Sequence, residues 1–308
     1  MIPKPLSQKS IDKLLAGWKP ETVKTLHAVY ASLANLYGVI MLREAWQVVK
    51  PLSLKITKTE FMNFSSIVRR EALPYSIYEI NEIYSGETPS DANRHIVNKM
   101  LLFEGYGKFS RIYRVDEMSC DKPLYCPTDL LQYETRDGID CNPAFVKLCN
   151  AIRRVKAPNG QRLSEYAALT ETDQFDLDFY KAESKKRAIL LDAERPAAER
   201  IIERLKCNIQ IGGNAIDALL RNFEEYGIKL TAKQLEDMSE LVQDSVNYSR
   251  LWVNRGWTPY ELLQAAGPVD LSSISLGPGM KQAIRDGSLD IKELEEGLAK
   301  MGIKLIKD

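Results

Sequence analysis

The chain has 308 residues, and its 42 Lys and Arg residues balance its 42 Asp and Glu residues, so the formal net charge is zero. Hydrophobic residues make up 44% and charged residues 27% of the chain, which is an ordinary globular composition. This length allows two domains. The charge balance does not favour nucleic-acid binding, which needs a basic excess, although it allows a small basic face.

The N-terminal segment Met1–Ser7 lacks the apolar core of a signal peptide. No apolar run approaches the roughly 20 residues that a membrane-spanning helix needs. We therefore expect a cytoplasmic protein that has no membrane partner.

The first part of the chain is predicted to be helical, because its apolar residues recur at spacings of three and four. Pro and Gly residues separate the periodic segments. The predicted helices cover residues 7–16, 20–38 and 42–49.

The next segment predicts a further helix and then a β-hairpin. Thr57 and Glu60 have the spacing of a capping box, which starts a helix that Pro74 bounds. The segment Tyr75–Tyr84 is rich in aromatic and β-branched residues, and such composition is typical of strands. We predict a small hairpin there, with its turn at residues 79–82.

Three helices followed by a hairpin is the element order of a winged helix. The helix over residues 57–72 is then the recognition helix, which presents its early residues to the major groove of DNA. A winged helix also serves as a protein-docking module, so both interpretations stay open. The candidate nucleic-acid-binding residues are Lys55, Lys58, Thr59, Asn63, Arg69 and Arg70.

The domain boundary is predicted between residues 120 and 140. A helix is expected over 88–105 and a strand over 109–115. The segment Asp121–Pro127 contains two prolines, so it is an extended loop. We therefore predict a winged-helix-like domain over 1–130 and an all-helical domain over 131–308, which makes the chain mainly α.

The second domain is predicted to consist of successive helices. Capping residues mark three of their starts, Asn142, Asn214 and Thr231, and the box of Thr231 includes Gln234. Two predicted helices begin at Asn142 and Thr231. The others cover residues 163–169, 171–191, 196–207, 214–227 and 290–302.

The segment Asn247–Leu262 contains a helix end, a turn and a helix start. Gly256 is placed for a left-handed helix end, and Thr258-Pro259 is typical of a helix start. Asn247, Arg250 and Asn254 fall on the polar side of a helical wheel and are our candidate interaction residues. The alternative is a solvated face, or hydrogen bonds that hold neighbouring loops.

A cluster of aspartates is the candidate for metal or acid–base chemistry. Asp173, Asp176 and Asp178 lie close together in sequence near a predicted helix start. Carboxylates also favour that end of a helix for electrostatic reasons alone. We assign no catalytic residue, no metal ligand and no cofactor from the sequence.

The cysteines and histidines give no clear metal motif. The five cysteines are odd in number and contain no C-x-x-C pair, so free thiols are expected in a reducing compartment. A zinc site of Cys120, Cys126 and Cys141 is an alternative that lacks the usual paired spacing. His27 and His95, the only histidines, have no neighbouring ligand or base in the sequence.

Three segments, Asn35–Ile40, Asp121–Pro127 and Asn247–Leu262, resemble those of uncharacterised bacterial proteins. Many members of that group carry a C-terminal SEC-C metal-binding motif. The resemblance spans residues 30–305 and implies a bacterial cytoplasmic protein, but it implies no activity and no site. No cysteine lies beyond Cys207, so this chain lacks the SEC-C tail.

Three functional hypotheses follow. The first is a non-enzymatic interaction or regulatory protein with an unknown protein partner. The second is a winged-helix DNA-binding regulator. The third is a metal-dependent enzyme that uses the carboxylate cluster.

Overall fold

Helices form most of the chain, which confirms the mainly α prediction. The computed structural model describes residues 6–69, 71, 73–102, 107–175, 195–266, 273–275, 284, 290–300 and 304–306. The chain divides into two compact units, Met1–Tyr260 and Glu261–Asp308. None of the helices in these described ranges is both long enough and apolar enough to cross a membrane.

The helices are numbered here in chain order. Short 3-10 turns lie between several of them, including Asp91–Asn93, Leu131–Tyr133 and Trp252–Asn254. The α-helices are α1 Gln8–Leu15, α2 Pro20–Tyr37, α3 Leu42–Val49, α4 Lys58–Val68, α5 Ile80–Ile83, α6 Ser110–Ser119, α7 Pro143–Arg154, α8 Ala197–Gln210, α9 Ala215–Glu225, α10 Ala232–Asn247, α11 Pro259–Ala265 and α12 Ile291–Lys300.

A three-stranded antiparallel sheet lies in the first unit. Its strands are β1 Val39–Met41, β2 Tyr75–Tyr78 and β3 His95–Asn98, in the spatial order β1–β3–β2. The register pairs Ile96 of β3 with Ile40 and with Ile77. The central strand is therefore the last of the three in sequence.

The sheet is buried on both faces, because successive side chains of a strand point to opposite sides. Ile77 and Ile96 point to one side and pack with α2, α3 and α4. Tyr78 and Val97 point to the other side and pack with the cluster that includes α6 to α10. The sheet thus separates two hydrophobic cores within the first unit.

The hairpin prediction for residues 75–84 was wrong in its second strand. Residues 79–82 do not form a hairpin turn, since Glu79 caps α5 in a capping box with Glu82. The partner of β2 is β3, which lies in the region predicted as helix over 88–105. Short apolar runs do not distinguish a buried strand from a helix, and pairing to two strands decides the outcome here.

Two further local predictions were wrong. The segment 109–115, predicted as a strand, lies mainly in α6, and no helix forms over 163–169. Residues 171–175 are helical, and the rest of the helix predicted to 191 lies outside the described residues.

The capping predictions were confirmed. Both residues of each predicted box bond reciprocally, Thr57 with Glu60 and Thr231 with Gln234. Asn142 caps α7 through the Ala144 N–H. These motifs satisfy backbone donors that a helix leaves unpaired at its start, so they depend only on neighbouring residues.

The predicted boundary near residue 130 falls inside the first unit. Leu130 and Tyr133 are buried in the core that the N-terminal helices form. That residues 1–130 and 131–308 are two separate domains stays a prediction.

Trp252 connects the two hydrophobic cores of the first unit. Its indole Nε1–H donates to the Asn35 carbonyl oxygen at 3.0 Å, and its backbone N–H donates to Gln210 Oε1 at 3.1 Å. The ring is 1% exposed and lies against Gly38, where α2 ends with a positive φ of 70°. A Cβ at Gly38 would lie 2.5 Å from the indole Cδ2.

The second unit contains a parallel strand pair, β4 Ser273–Ser275 with β5 Lys304–Ile306. Helix α12 lies between these strands in sequence. Leu298 on α12 is buried.

Gly38→Ala should destabilise the protein strongly, by about 3 kcal/mol, because it combines a strained positive φ with overpacking against Trp252. Gly86→Ala is the control, since Gly86 has φ +91° and open space around its missing Cβ. That control should cost only about 1 kcal/mol. Urea denaturation measures both, and equal losses would show that the indole contact is not tight.

Candidate functional site

The local sequence of α4 fixes which of its sides is exposed. The Thr57 backbone N–H donates to Glu60 Oε2 at 2.7 Å, and the Glu60 N–H donates back to Thr57 Oγ1 at 3.2 Å. Phe61 and Phe64 are fully buried in the N-terminal core. The side opposite these rings faces solvent.

The exposed side begins with four of the candidate nucleic-acid-binding residues. None of the four forms a side-chain hydrogen bond or ion pair with the described residues. Lys58 and Thr59 open the first turn of α4, Lys55 precedes it and Asn63 lies one turn later, while the Glu60 carboxylate caps this positive end of the helix. These exposed residues are Lys55, Lys58, Thr59 and Asn63.

Arg69 does not lie on this exposed surface. Its guanidinium is 8% exposed and bonds Glu79 Oε1 at 2.6 Å and Glu82 Oε2 at 3.0 Å. An arginine held between two carboxylates is not available to a phosphate. Arg70, the other late candidate, lies outside the described residues.

Arg94 extends the same network across the β2–β3 connection. It bonds Glu79 Oε1 at 2.8 Å and Asp91 Oδ1 at 2.7 Å, and it donates to the Ser65 and Ser66 hydroxyls on α4. Three carboxylates therefore surround two guanidinium groups. The late half of α4 is next to a slightly acidic region, whereas Lys55 and Lys58 lie at its start, together with the capping carboxylate of Glu60.

The predicted polar strip of Asn247, Arg250 and Asn254 does not lie on one helix face. Helix α10 ends at Asn247, so Arg250 and Asn254 follow in a loop and a 3-10 turn. The sequence pattern suggested a longer helix, but Leu251 to Trp257 form tight turns with their own backbone bonds.

Arg250 and Asn254 hold neighbouring loops. The Arg250 guanidinium lies 3.6 Å from the Tyr125 ring centre and donates to the Gly256 carbonyl at 3.1 Å. Asn254 is buried and accepts from Lys122 Nζ at 3.0 Å. These contacts match the alternative interpretation, hydrogen bonds that hold loops together.

Asp173 is part of a buried ion-pair cluster. Its carboxylate bonds Arg200 Nε at 3.1 Å and Arg204 Nη2 at 2.5 Å, and the Tyr226 hydroxyl also donates to it. Burial raises its pKa, but the hydrogen bonds from Thr170 and Tyr226 and the two arginines outweigh that, so the pKa lies below its usual value. The carboxylate is fully engaged, and Asp176 and Asp178 lie outside the described residues.

All five cysteines are free thiols, and Cys120 and Cys126 are exposed. Within the described ranges, no group of three or more His, Cys, Asp or Glu side chains is arranged to hold a metal ion. A zinc site of Cys120, Cys126 and Cys141 is therefore not formed there.

The first unit contains a cavity of about 400 Å³ that the sequence analysis did not predict. Its lining includes Glu44, His95, Asp116, Cys120 and Arg255. These residues come from α3, β3, α6 and the turn after Trp252, so no sequence motif joins them. The only local signal is that Asp116 and Cys120 are one helical turn apart.

Asp116 is an ionisable group of this cavity whose pKa is displaced. Burial and the nearby Glu44 charge raise its pKa from 3.8 to about 7, although Arg255 opposes them. Its side chain has no hydrogen-bond or ion-pair partner among the described residues. Burial also lowers the pKa of His95 from 6.5 to about 4, so that imidazole is neutral at neutral pH.

The raised pKa of Asp116 predicts a pH dependence of stability. Between about pH 4 and pH 7 the folded state holds a proton on Asp116 that the unfolded state has lost, so the free energy of unfolding falls as the pH rises. Asp116→Asn should remove this slope and be more stable by about 1–3 kcal/mol at about pH 8. Urea denaturation at several pH values measures the difference.

Glu117→Gln is the matched control, because Glu117 is the exposed neighbour of Asp116 on α6. This variant should keep the pH slope of the wild type. An Asp116→Asn slope equal to that of the wild type would show that the carboxyl titrates near its ordinary pKa.

No protein-family model, no curated protein and no solved structure matches this chain. The resemblance to proteins with a SEC-C motif therefore rests on the three sequence segments alone and stays a prediction. The candidate sites are therefore argued from the geometry of their own residues.

Proposed function

We propose that residues 20–98 form a winged-helix-like module and that the protein is a non-enzymatic regulator that binds duplex DNA through α4. The element order α2–β1–α3–α4–β2–α5–β3 and the antiparallel strand order β1–β3–β2 support this proposal. In such a module α4 is the recognition helix, and the β2–β3 connection is the wing.

The observation that carries the proposal is the exposed early side of α4. Lys55 and Lys58 offer cations to phosphates, whereas Thr59 and Asn63 offer groups that can hydrogen bond to base edges. Recognition helices contact bases with their N-terminal residues. The two ends of α4 therefore have different roles, because its late half is held by the arginine–carboxylate network.

The small number of exposed lysines on α4 determines how strongly the DNA affinity should depend on salt. Neutralising about two phosphates gives a salt slope of roughly −2, so the affinity should fall roughly tenfold between about 50 mM and about 200 mM salt. The neutral net charge of the whole chain is compatible with such a weak electrostatic contribution.

A protein-docking surface near Asn247 is the second candidate. Tyr248 and Tyr260 are 51% and 44% exposed, and their ring centres lie 5.2 Å apart. Exposed aromatic side chains are enriched at protein interfaces. This pair supports an interaction role next to Asn247, one of the residues predicted from the sequence.

The Lys55→Ala/Lys58→Ala variant should bind fluorescent duplex DNA roughly tenfold more weakly at about 50 mM salt, with a salt slope near zero. Fluorescence anisotropy at two salt concentrations measures both quantities. Lys147→Ala/Lys229→Ala is the control, since it removes the same charge from two other exposed positions. Equal weakening by both double variants, or no binding by the wild type at low salt, would refute the DNA-binding proposal.

The Tyr248→Ser/Tyr260→Ser variant should lose a protein partner that the wild type retains in affinity capture followed by mass spectrometry. Both side chains are exposed, so thermal unfolding should change little. Phe175→Ser, which removes another exposed ring, should keep the partner. Identical captured proteins for all three would count against a docking surface at this pair.

A further inference from the structure

The cavity beside β3 has the size of a small-molecule site. Its volume of about 400 Å³ lies within the range of roughly 300–1,000 Å³ that is usual for ligand pockets. Elements from three parts of the first unit form its walls, namely β1 with α3, β3 with α5, and α6 with the turn at Trp252.

The cavity has an excess of negative charge. Glu44 and Arg255 form an ion pair at 2.8 Å, so these two charges offset each other. Asp116 is a second carboxyl without a partner in the described chain, and its pKa is raised by burial and by Glu44. Among the described residues that line the cavity, Arg255 is the one permanent cation, since burial keeps His95 neutral.

His95 also borders the cavity. Its side chain is 5% exposed. Burial lowers the pKa of its imidazole to about 4, although a hydrogen bond with the Asn93 backbone and the nearby Glu44 charge oppose that. The imidazole therefore brings no positive charge to the cavity wall at neutral pH.

The backbone at Arg255 is also unusual. Within the described residues it is the only non-glycine residue with a positive φ, at 50°. This left-handed conformation costs free energy, yet it lies in the turn that brings the guanidinium to Glu44. Such strained residues are concentrated at ligand and active sites.

The remaining walls fit an apolar or aromatic ligand body. The aromatic residues Tyr37, Tyr84 and Trp252 border the cavity, as do the aliphatic residues Val39 and Leu124. Aromatic faces attract cations as well as apolar groups. A metal ion is a poorer fit, because no three potential metal ligands converge in the described part of the chain.

We propose that this cavity binds a small organic monoamine, with its ammonium group beside Asp116 and Glu44 and its apolar body against the aromatic wall. An ammonium supplies the missing positive charge and donates hydrogen bonds to Asp116. An anionic ligand would meet two carboxyls and an arginine that already has a partner. This inference does not rest on DNA binding.

Cys120 provides a reporter inside the cavity, and Cys126 is an exposed thiol that does not line it. The full chain is treated with N-ethylmaleimide, with and without n-butylamine, phenethylamine or tryptamine at millimolar concentration and about pH 8, where Asp116 is ionised. Peptide mass spectrometry then gives the alkylation rate of each cysteine. We expect at least one amine to slow the alkylation of Cys120 several-fold and to leave Cys126 unchanged.

Variants and a neutral analogue test the charge requirement. Asp116→Asn should raise the half-protecting amine concentration by roughly tenfold or more, whereas Glu117→Gln should not change it. The neutral analogue 2-phenylethanol should protect Cys120 much less than phenethylamine. Thermal melting confirms that Asp116→Asn is folded, and the removal of a half-buried charge that has no partner among the described residues favours that result.

Three outcomes would overturn the proposal. One is the absence of Cys120 protection by all three amines. The second is equal protection by 2-phenylethanol and phenethylamine, which would mean that the site binds an apolar body without regard to charge. The third is an unchanged amine concentration in a folded Asp116→Asn variant.

Discussion

The first unit depends on the burial of a single indole. Trp252 is 1% exposed, and it contacts the end of α2 at Gly38 and donates a hydrogen bond to Asn35, 217 positions earlier in the chain. The Asn35 side chain in turn accepts from Asn98 Nδ2 on the central strand. The sheet separates two hydrophobic cores, so this polar and aromatic connection holds helices of one core in register with turns of the other.

The same constraint creates the cavity. After Trp252 the chain must turn sharply, and Arg255 takes a left-handed conformation within that turn. Its guanidinium then lies against Glu44 of α3, while the Trp252 ring forms part of the cavity wall. The space next to these groups holds Asp116 and His95, whose pKa values are both displaced by burial. A left-handed residue and two groups with displaced pKa values occur together at one place, which is typical of functional sites.

The sequence predicted those features that depend on neighbouring residues. The boxes at Thr57 and Thr231 and the cap at Asn142 follow from hydrogen bonds over two or three positions. Strand β3 was missed because Ile96 and Val97 are equally compatible with a buried helix, and only pairing with β1 and β2 decides between them. No local sequence pattern could predict the cavity, because the residues that line it are distant in sequence. Glu44 and Arg255, for example, are 211 positions apart.

The balance of charge over the whole chain hides an uneven local distribution. Several arginines are held in ion pairs, as Arg69 is by Glu79 and Arg200 is by Asp173. Arginine suits such sites because its planar fork matches a carboxylate. The lysines at the start of α4 have no such partner and remain exposed. A net charge of zero therefore does not describe what an approaching phosphate meets, because the immobilised charges cancel within the protein and the free ones determine the surface.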